Sequence, residues 1–428
     1  MAQFTAEVFQ NEYLSDGATD VHAVVSISCS GAGAAGASGD VAEVIIIDTS
    51  GSMDMPASKI AAARRAGKAA LEELREGTWF AVLSGHTVAQ MVYPRHPGLA
   101  RMTDVTRREA QDAVDRLRSG GATGIGGWII AATQLFQQAP TAQRHAILLT
   151  DGKIEGEPEG TLDAALAGAR GVFQCDCRGI GSDWVVAELR KISDALMGTV
   201  DIVAAPEDLE EDFASMIRTS MSRGVPDARL RVWAPQGSQV LFVRQVAPVV
   251  EDLTARGERI SPLVLEFPTG AWSDESRDYH VAVRVPPAPL GNERLAARVE
   301  TVVDDQVLAK ALVKAIWSQD TDLTTRIDPA VAHYTGQAQL ADVIQRGLAA
   351  KSSGDERTAT TLLGEAARLA HQSGNESTTR LLSKVVDVVD LEAGTVRLKS
   401  QVAKADEMAL DTRSTKTTRI RREPPAGG

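Results

Sequence analysis

The sequence is poor in the residues that most often announce a chemistry. Three cysteines (Cys29, Cys175, Cys177) in 428 residues are too few for a disulfide framework and fit a reducing compartment. Its seven histidines show no zinc-ligand spacing and no His-Glu-x-x-His. No Ser/His/Asp or Cys/His set stands out, and no Gly-x-x-x-x-Gly-Lys-Ser/Thr phosphate loop occurs. No apolar run approaches the roughly 20 residues that span a bilayer. The opening Met1-Ala2-Gln3-Phe4-Thr5 lacks the basic and then apolar stretch of an export signal. A basic excess is also missing, and the formal charge of −12 argues against nucleic acid as the main partner. The expectation is a cytoplasmic protein with no membrane span.

What is present is a globular composition, 43% apolar and 24% charged, on a chain too long for one ordinary core. Residues 1–40 carry two strand-like runs, Phe4–Phe9 and Val21–Ile27, and then a Gly/Ala/Ser connector. Over 41–225 strands and helices alternate, which implies a parallel sheet covered on both faces. Over 226–320 six strand-like runs are separated by Gly and Pro breakers at roughly 10–15 residues, the texture of an antiparallel sandwich. The two N-terminal runs need partners and are expected there. The α/β domain is then an insertion in a β domain. Residues 321–395 read as three helical segments (329–350, 355–372, 376–390) joined by short loops, hence as a small bundle. Residues 396–428 have little to bury and read as a polar linker and a disordered basic tail.

The chemistry concentrates at Val44-Ile45-Ile46-Ile47-Asp48-Thr49-Ser50-Gly51-Ser52. The unbroken apolar run suits a strand buried on both faces. Beyond it Asp48, Ser50 and Ser52 place oxygens at alternating positions of a tight loop, where they can converge on a hard divalent cation. In open α/β sheets ligands gather at the carboxyl ends of strands. Taken alone, the loop reads more readily as an ordinary strand-to-helix turn with Ser52 or Asp54 as N-cap. Two further loops change that. Gly120-Gly121-Ala122-Thr123-Gly124 sets a threonine in a glycine-rich turn before a helix, and Leu148-Leu149-Thr150-Asp151-Gly152 sets a second carboxylate at a strand end. Cys175 and Cys177, and Trp128 and Trp184, read as packing residues, and His86 and His96 as surface residues.

In this order the residues Asp48, Ser50, Ser52, Thr123 and Asp151 resemble the metal-ion-dependent adhesion site of von Willebrand factor type A domains. The resemblance covers roughly 41–221. It implies a Rossmann-like, doubly wound domain. It also implies that Ser50, Ser52 and Thr123 bind the metal directly while Asp48 and Asp151 act largely through water. Such a donor set suits Mg2+, with Mn2+ or Ca2+ as alternatives. Neutral hydroxyls only partly offset a dication, so the remaining position is electrophilic and an Asp or Glu of a partner protein would complete it. The whole chain resembles bacterial cytoplasmic stand-alone A-domain proteins, some of them linked with MoxR-type ATPases.

The expected function is therefore Mg2+-dependent protein–protein interaction, not enzymatic activity. The alternative is an accessory subunit of a MoxR-type or chelatase-like AAA+ ATPase machine. Metal-assisted hydrolysis is disfavoured because the loops offer no general base beyond the ligating acids. In the tail, Thr417 with Ile420 three residues on resembles the phosphothreonine pattern read by forkhead-associated domains, so Thr417 is a candidate phosphosite and such a domain a candidate partner.

Overall fold

The computed structural model describes residues 2–35, 41–139 and 143–419. The expected connector falls in part, and the tail beyond Arg419 (Ile420 included) wholly, outside them. The chain divides into two compact units. The first comprises Ala32–Asp227 with Gly270–Ser273, and the second comprises Ala2–Gly31, Ala228–Thr269 and the chain from Asp274 onward.

The first unit is a Rossmann-like α/β layer. Val41–Asp48, all eight residues buried, is the central strand, as its β-branched run requires. It pairs in parallel with Trp79–Gly85 on one side and Gln143–Thr150 on the other. Gln174–Ile180 and Val200–Val203 extend the parallel order beyond Gln143–Thr150. Ala89–Tyr93 closes the opposite edge antiparallel to Trp79–Gly85. The chain leaves the central strand to one side and then returns to the other, so the carboxyl end of Val41–Asp48 is the switch point of the sheet.

Residues of alternating strand parity serve the two faces. Ile45, Ile47, Val82, Ile147 and Leu149 pack with Ile60, Ala63 and Leu71 of helix Ser58–Glu73, Val114 of helix Asp104–Asp115 and Phe213 of helix Leu209–Ser222. Helix Ile125–Gln137 buries Trp128, Ile129 and Phe136, outside that cluster. The indole of Trp128 lies over Gly85, where a Cβ would stand 2.4 Å from the ring, so that strand end accepts only glycine. Trp184 is likewise buried, as are Cys175 and Cys177. Gly270–Ser273 joins this unit because Val225 and Trp272 exchange backbone hydrogen bonds of 3.1 and 2.8 Å.

At the near ends of three strands sits a buried ionic triad. His145 Nδ1 is 2.6 Å from Glu43 Oε1 and its Nε2 is 2.9 Å from Asp176 Oδ2. Ser220 donates to Glu43 at 2.9 Å, and the Thr199 hydroxyl donates to Asp176 at 2.7 Å. Glu43 and His145 are register partners, so the triad pins the alignment of strands whose far ends carry Asp48 and Asp151.

The second unit holds two largely antiparallel sheets. One orders Gln3–Gln10, Asp20–Ser30, Glu275–Arg284, Gln239–Ala247 and Glu251–Asp252. The other is built on Arg229–Trp233, Val264–Pro268, Glu293–Val303 and Gln306–Trp317. The N-terminal strands do pair with the later β-rich segment, Asp20–Ser30 lying antiparallel to Glu275–Arg284. The α/β unit is thus inserted in a β architecture. Helices Pro329–Ser352, Glu356–Gln372 and Glu376–Val385 follow, around Leu340, Ile344, Leu363, Leu382 and Leu410. They share the unit with the strands, because Tyr334 packs on Val24 and Val246 and donates to Asp278 at 2.5 Å.

Two expectations are corrected here. The third helical segment stops at Val385, and Val386–Asp390 pairs with Thr395–Leu398 as a hairpin. Val386-Asp387-Val388 alternates as a strand does, and Gly394, at φ +68°, makes the turn that a helix could not. Nor is the segment that precedes the tail a bare polar linker: Lys404–Arg413 is a helix, and its Met408, Ala409 and Leu410 are buried. Those three apolar residues and Thr412 are what the helix buries among its charged neighbours.

Candidate metal centre

Each of the three loops leaves the carboxyl end of its strand, or precedes its helix, at the switch point. The first two are tied by backbone: Gly51 N–H donates to Gly121 O at 3.0 Å and Gly120 N–H to Thr49 O at 2.8 Å. The second and third are tied by Glu155 N–H to Thr123 O at 2.9 Å. Thr49 N–H donates to Gly85 O at 2.7 Å, which holds the first loop against the neighbouring strand.

The side chains converge accordingly. Ser50 Oγ and Ser52 Oγ are 2.9 Å apart, and Ser52 donates to Asp151 Oδ1 at 2.6 Å. Asp48 Oδ1 accepts from Ser50 N–H at 2.6 Å, and its Oδ2 accepts from the Thr150 hydroxyl. Thr123 is buried beside them. A Cβ added at Gly152 would lie 3.1 Å from Thr123 Oγ1 and 3.3 Å from Ser52 Oγ, which places both hydroxyls about one point. The structure therefore brings together all five residues named from the sequence. Among the described residues no cluster of three or more His, Cys, Asp or Glu side chains forms another metal-holding group.

The donor set fits a hard dication. Three hydroxyls and two carboxylates supply oxygen only, as Mg2+ and its analogues require. Asp48 and Asp151 are fully buried. Burial pushes the Asp48 carboxyl up to about 6, against the hydrogen bonds from Ser50 and Thr150 that pull it down. A carboxylate so placed is costly to ionise without a cation beside it.

One cation is already there, and the sequence did not announce it. Lys59, buried at the start of helix Ser58–Glu73, sets its Nζ 2.6 Å from Asp151 Oδ2 and 3.5 Å from Asp183. It occupies the oxygen of Asp151 that Ser52 does not use. Lysine at the start of an otherwise amphipathic helix reads as a solvated residue, and only its return to a loop 92 residues on gives it a role. Thr49 and Thr150, also unsingled, orient the loops rather than add donors. His86 stands at the rim, where its carbonyl accepts from Gly124 N–H at 3.0 Å and from the Trp128 indole at 2.7 Å.

Thr417 belongs to the second unit and is not presented on a free tail. Its hydroxyl donates to Val246 O at 2.7 Å and its N–H to Pro248 O at 3.0 Å. Arg419 then grips the buried Asp278 with two hydrogen bonds of 2.8 and 3.1 Å and donates to Ser26 at 2.8 Å. The expectation of a disordered phosphosite is corrected to that extent.

Comparison with known proteins agrees with this architecture. Residues 42–202 match the family described as von Willebrand factor type A domain, and residues 368–414 match the von Willebrand factor type A C-terminal domain. Among curated proteins none matches. A solved von Willebrand factor type A protein from Catenulispora acidiphila is 46% identical, with a TM-score of 0.93 over 98% of this chain and 97% of its own. The ArnB paralog VWA2 from Sulfolobus acidocaldarius shares the fold at 15% identity, with a TM-score of 0.60 over 97% of this chain and 98% of its own. With one solved relative this similar over nearly its whole length, the chain belongs to the von Willebrand factor type A family.

Proposed function

We propose that the protein is a binding module that holds Mg2+ in the three loops and uses it to capture a carboxylate of a protein partner. The observation that carries this reading is the chain of contacts Ser50–Ser52–Asp151, with Asp48 buried beside it. Ser50, Ser52 and Thr123 would hold the ion through their hydroxyls, and Asp48 and Asp151 would hold its water. The bound ion supplies a Lewis-acidic position for an acidic side chain. Hydrolysis finds no support, since both acids are engaged, Asp151 by Lys59 and Ser52 and Asp48 by Ser50 and Thr150. Mn2+ or Ca2+ can substitute in an all-oxygen set. Regulation by phosphorylation of Thr417 would require the segment 415–419 to leave its seat, because a phosphoryl group has only acceptors to offer the Val246 carbonyl.

The test is calorimetric titration of Mg2+, Mn2+ and Ca2+ into the wild type and Asp48→Ala. Capture of partners in Mg2+ and in EDTA follows. Wild type binds the ion and its partner, and Asp48→Ala does neither. Partner capture that is equal in EDTA removes the reading.

A further inference from the structure

Beside the metal loops lies a groove of about 780 Å3 whose charge is opposite to that of the protein. Its floor is Thr49, Gly120 and Gly121, the same backbone that joins the first two loops of the metal centre. Arg95, Arg116, Arg118 and His86 also line it, and no Asp or Glu does. All three arginines are exposed, and none makes an ion pair among the described residues. On a chain of net charge −12, three guanidiniums without an ion pair around one groove form a local anion-attracting field. Their planar forks suit carboxylates.

We propose that this groove reads acidic residues flanking the carboxylate that enters the metal socket, so that the partner segment is an Asp or Glu accompanied by further acids. The inference rests on the socket reading and adds the partner's composition to it. Thr49, Gly120 and Gly121 line the groove and are also the backbone that joins the first two loops of the metal centre, so the groove borders the socket. Its size suits a few side chains rather than a folded surface. Nucleic acid is the poorer occupant, since no Phe, Tyr or Trp lines the groove to stack a base. The arginines lend on-rate and selectivity and the metal lends the anchor.

The test uses synthetic peptides of equal length in fluorescence anisotropy, with Mg2+ and with EDTA. One peptide carries a single central Glu in a Gly/Ser background, and two others add three Glu on one side or the other. Proteins are the wild type, Asp48→Ala, and the triple variant R95Q/R116Q/R118Q, whose substitutions lie on the surface; Mg2+ titration of each protein reports the socket separately. We expect one acid-rich peptide to bind wild type at least about fivefold tighter than the single-Glu peptide, the sum of three exposed ion pairs. That gain should vanish in the triple variant, in EDTA and at about 1 M salt, while the triple variant still binds Mg2+. Equal binding of all peptides to a Mg2+-loaded protein overturns the groove and leaves the socket standing. A gain that survives in the triple variant also overturns it. So does a single-stranded oligonucleotide that binds tighter than every peptide with the same arginine dependence. A wild type that takes no Mg2+ sinks the socket and this inference with it.

Discussion

Replacing His145 by Gln removes the positive centre of the buried triad and should destabilise the first unit in a pH-dependent way. Burial alone would lower the pKa of His145. The charge of Glu43 and the hydrogen bonds to Asp176 and Glu43 win, and raise it from 6.5 to about 9. Each unit is worth about 1.4 kcal/mol, so the protonated imidazole contributes about 3 kcal/mol. A folded pKa above the unfolded one stabilises fully below the unfolded value of about 6.5 and loses that contribution as pH rises through about 9. Asp176 is held well below the usual carboxylate range; burial opposes this, and the hydrogen bond and charge of His145 drive it. That shift describes the same pair from the other side and is not added. The first unit has about 200 residues, a size at which 1 kcal/mol moves Tm by about 2–4 °C. His145→Gln should therefore lower its Tm by roughly 6–12 °C near pH 6. The gap should shrink steadily between about pH 7 and pH 9.5 and nearly close above it. Calorimetry across that range, following the transition of the first unit, measures it. A gap that stays constant with pH refutes the ionic account and leaves only packing.

Other perturbations act on the metal centre and on the tail. Lys59→Met removes the cation on Asp151, so Mg2+ should bind about tenfold tighter while the metal-free protein melts lower, read by calorimetry and by thermal shift with and without Mg2+. Weaker Mg2+ binding would show instead that Lys59 serves the site by holding Asp151 in place. Gly152→Ala places a methyl 3.1–3.3 Å from Thr123 Oγ1 and Ser52 Oγ and should cut Mg2+ affinity by about tenfold or more with little change in Tm; unchanged affinity would mean those hydroxyls are not donors. Arg419→Ala takes two hydrogen bonds from the buried Asp278, which keeps those of Tyr334 and Ser26, and, with Arg419 partly exposed, should cost about 1–2 kcal/mol, read as a drop in the melting midpoint. Thr417→Glu should speed amide exchange across residues 415–419, since its hydroxyl and N–H both hold the segment to Val246 and Pro248; exchange as slow as in wild type would show that the segment's other contacts, among them Thr415 O with Val250, Thr418 O with His333 and Arg419 with Asp278, seat it without the Thr417 hydroxyl.

What was legible in the sequence followed from short-range pattern. The run Val44–Ile47 suited a doubly covered strand, and the three loops matched in order a constellation whose members stand 99 residues apart at Ser52 and Asp151. The N-terminal strands were placed by their need for partners. What escaped depends on pairing over distance. Glu43, His145 and Asp176 each interrupt an apolar strand, and one interruption reads as noise until the register aligns all three. Lys59 and the groove arginines sit on solvated-looking positions and acquire meaning only from what stands opposite. Lys404–Arg413 was lost because three apolar residues among charges make a weak helical stripe, and the surface that accepts Leu410 is formed by residues 340–396.

Lys59 and the groove arginines share a physical direction. The sequence motif describes the attraction of the site for a cation, whereas these side chains oppose or redirect that attraction. Lys59 offsets one of the two carboxylates, so with Mg2+ bound the centre keeps a net positive charge that an all-acid site would cancel. The unpaired arginines of the groove extend that positive field along the surface. On the proposed function, a socket built this way would hold Mg2+ less tightly than the five oxygens alone, and its open position would demand an anion more strongly. Affinity for the ion and appetite for the partner's carboxylate are therefore set against each other through Lys59, and Lys59→Met should move them in opposite directions: tighter Mg2+, weaker acidic peptide. Both moving together would break the link between charge at Asp151 and capture at the metal.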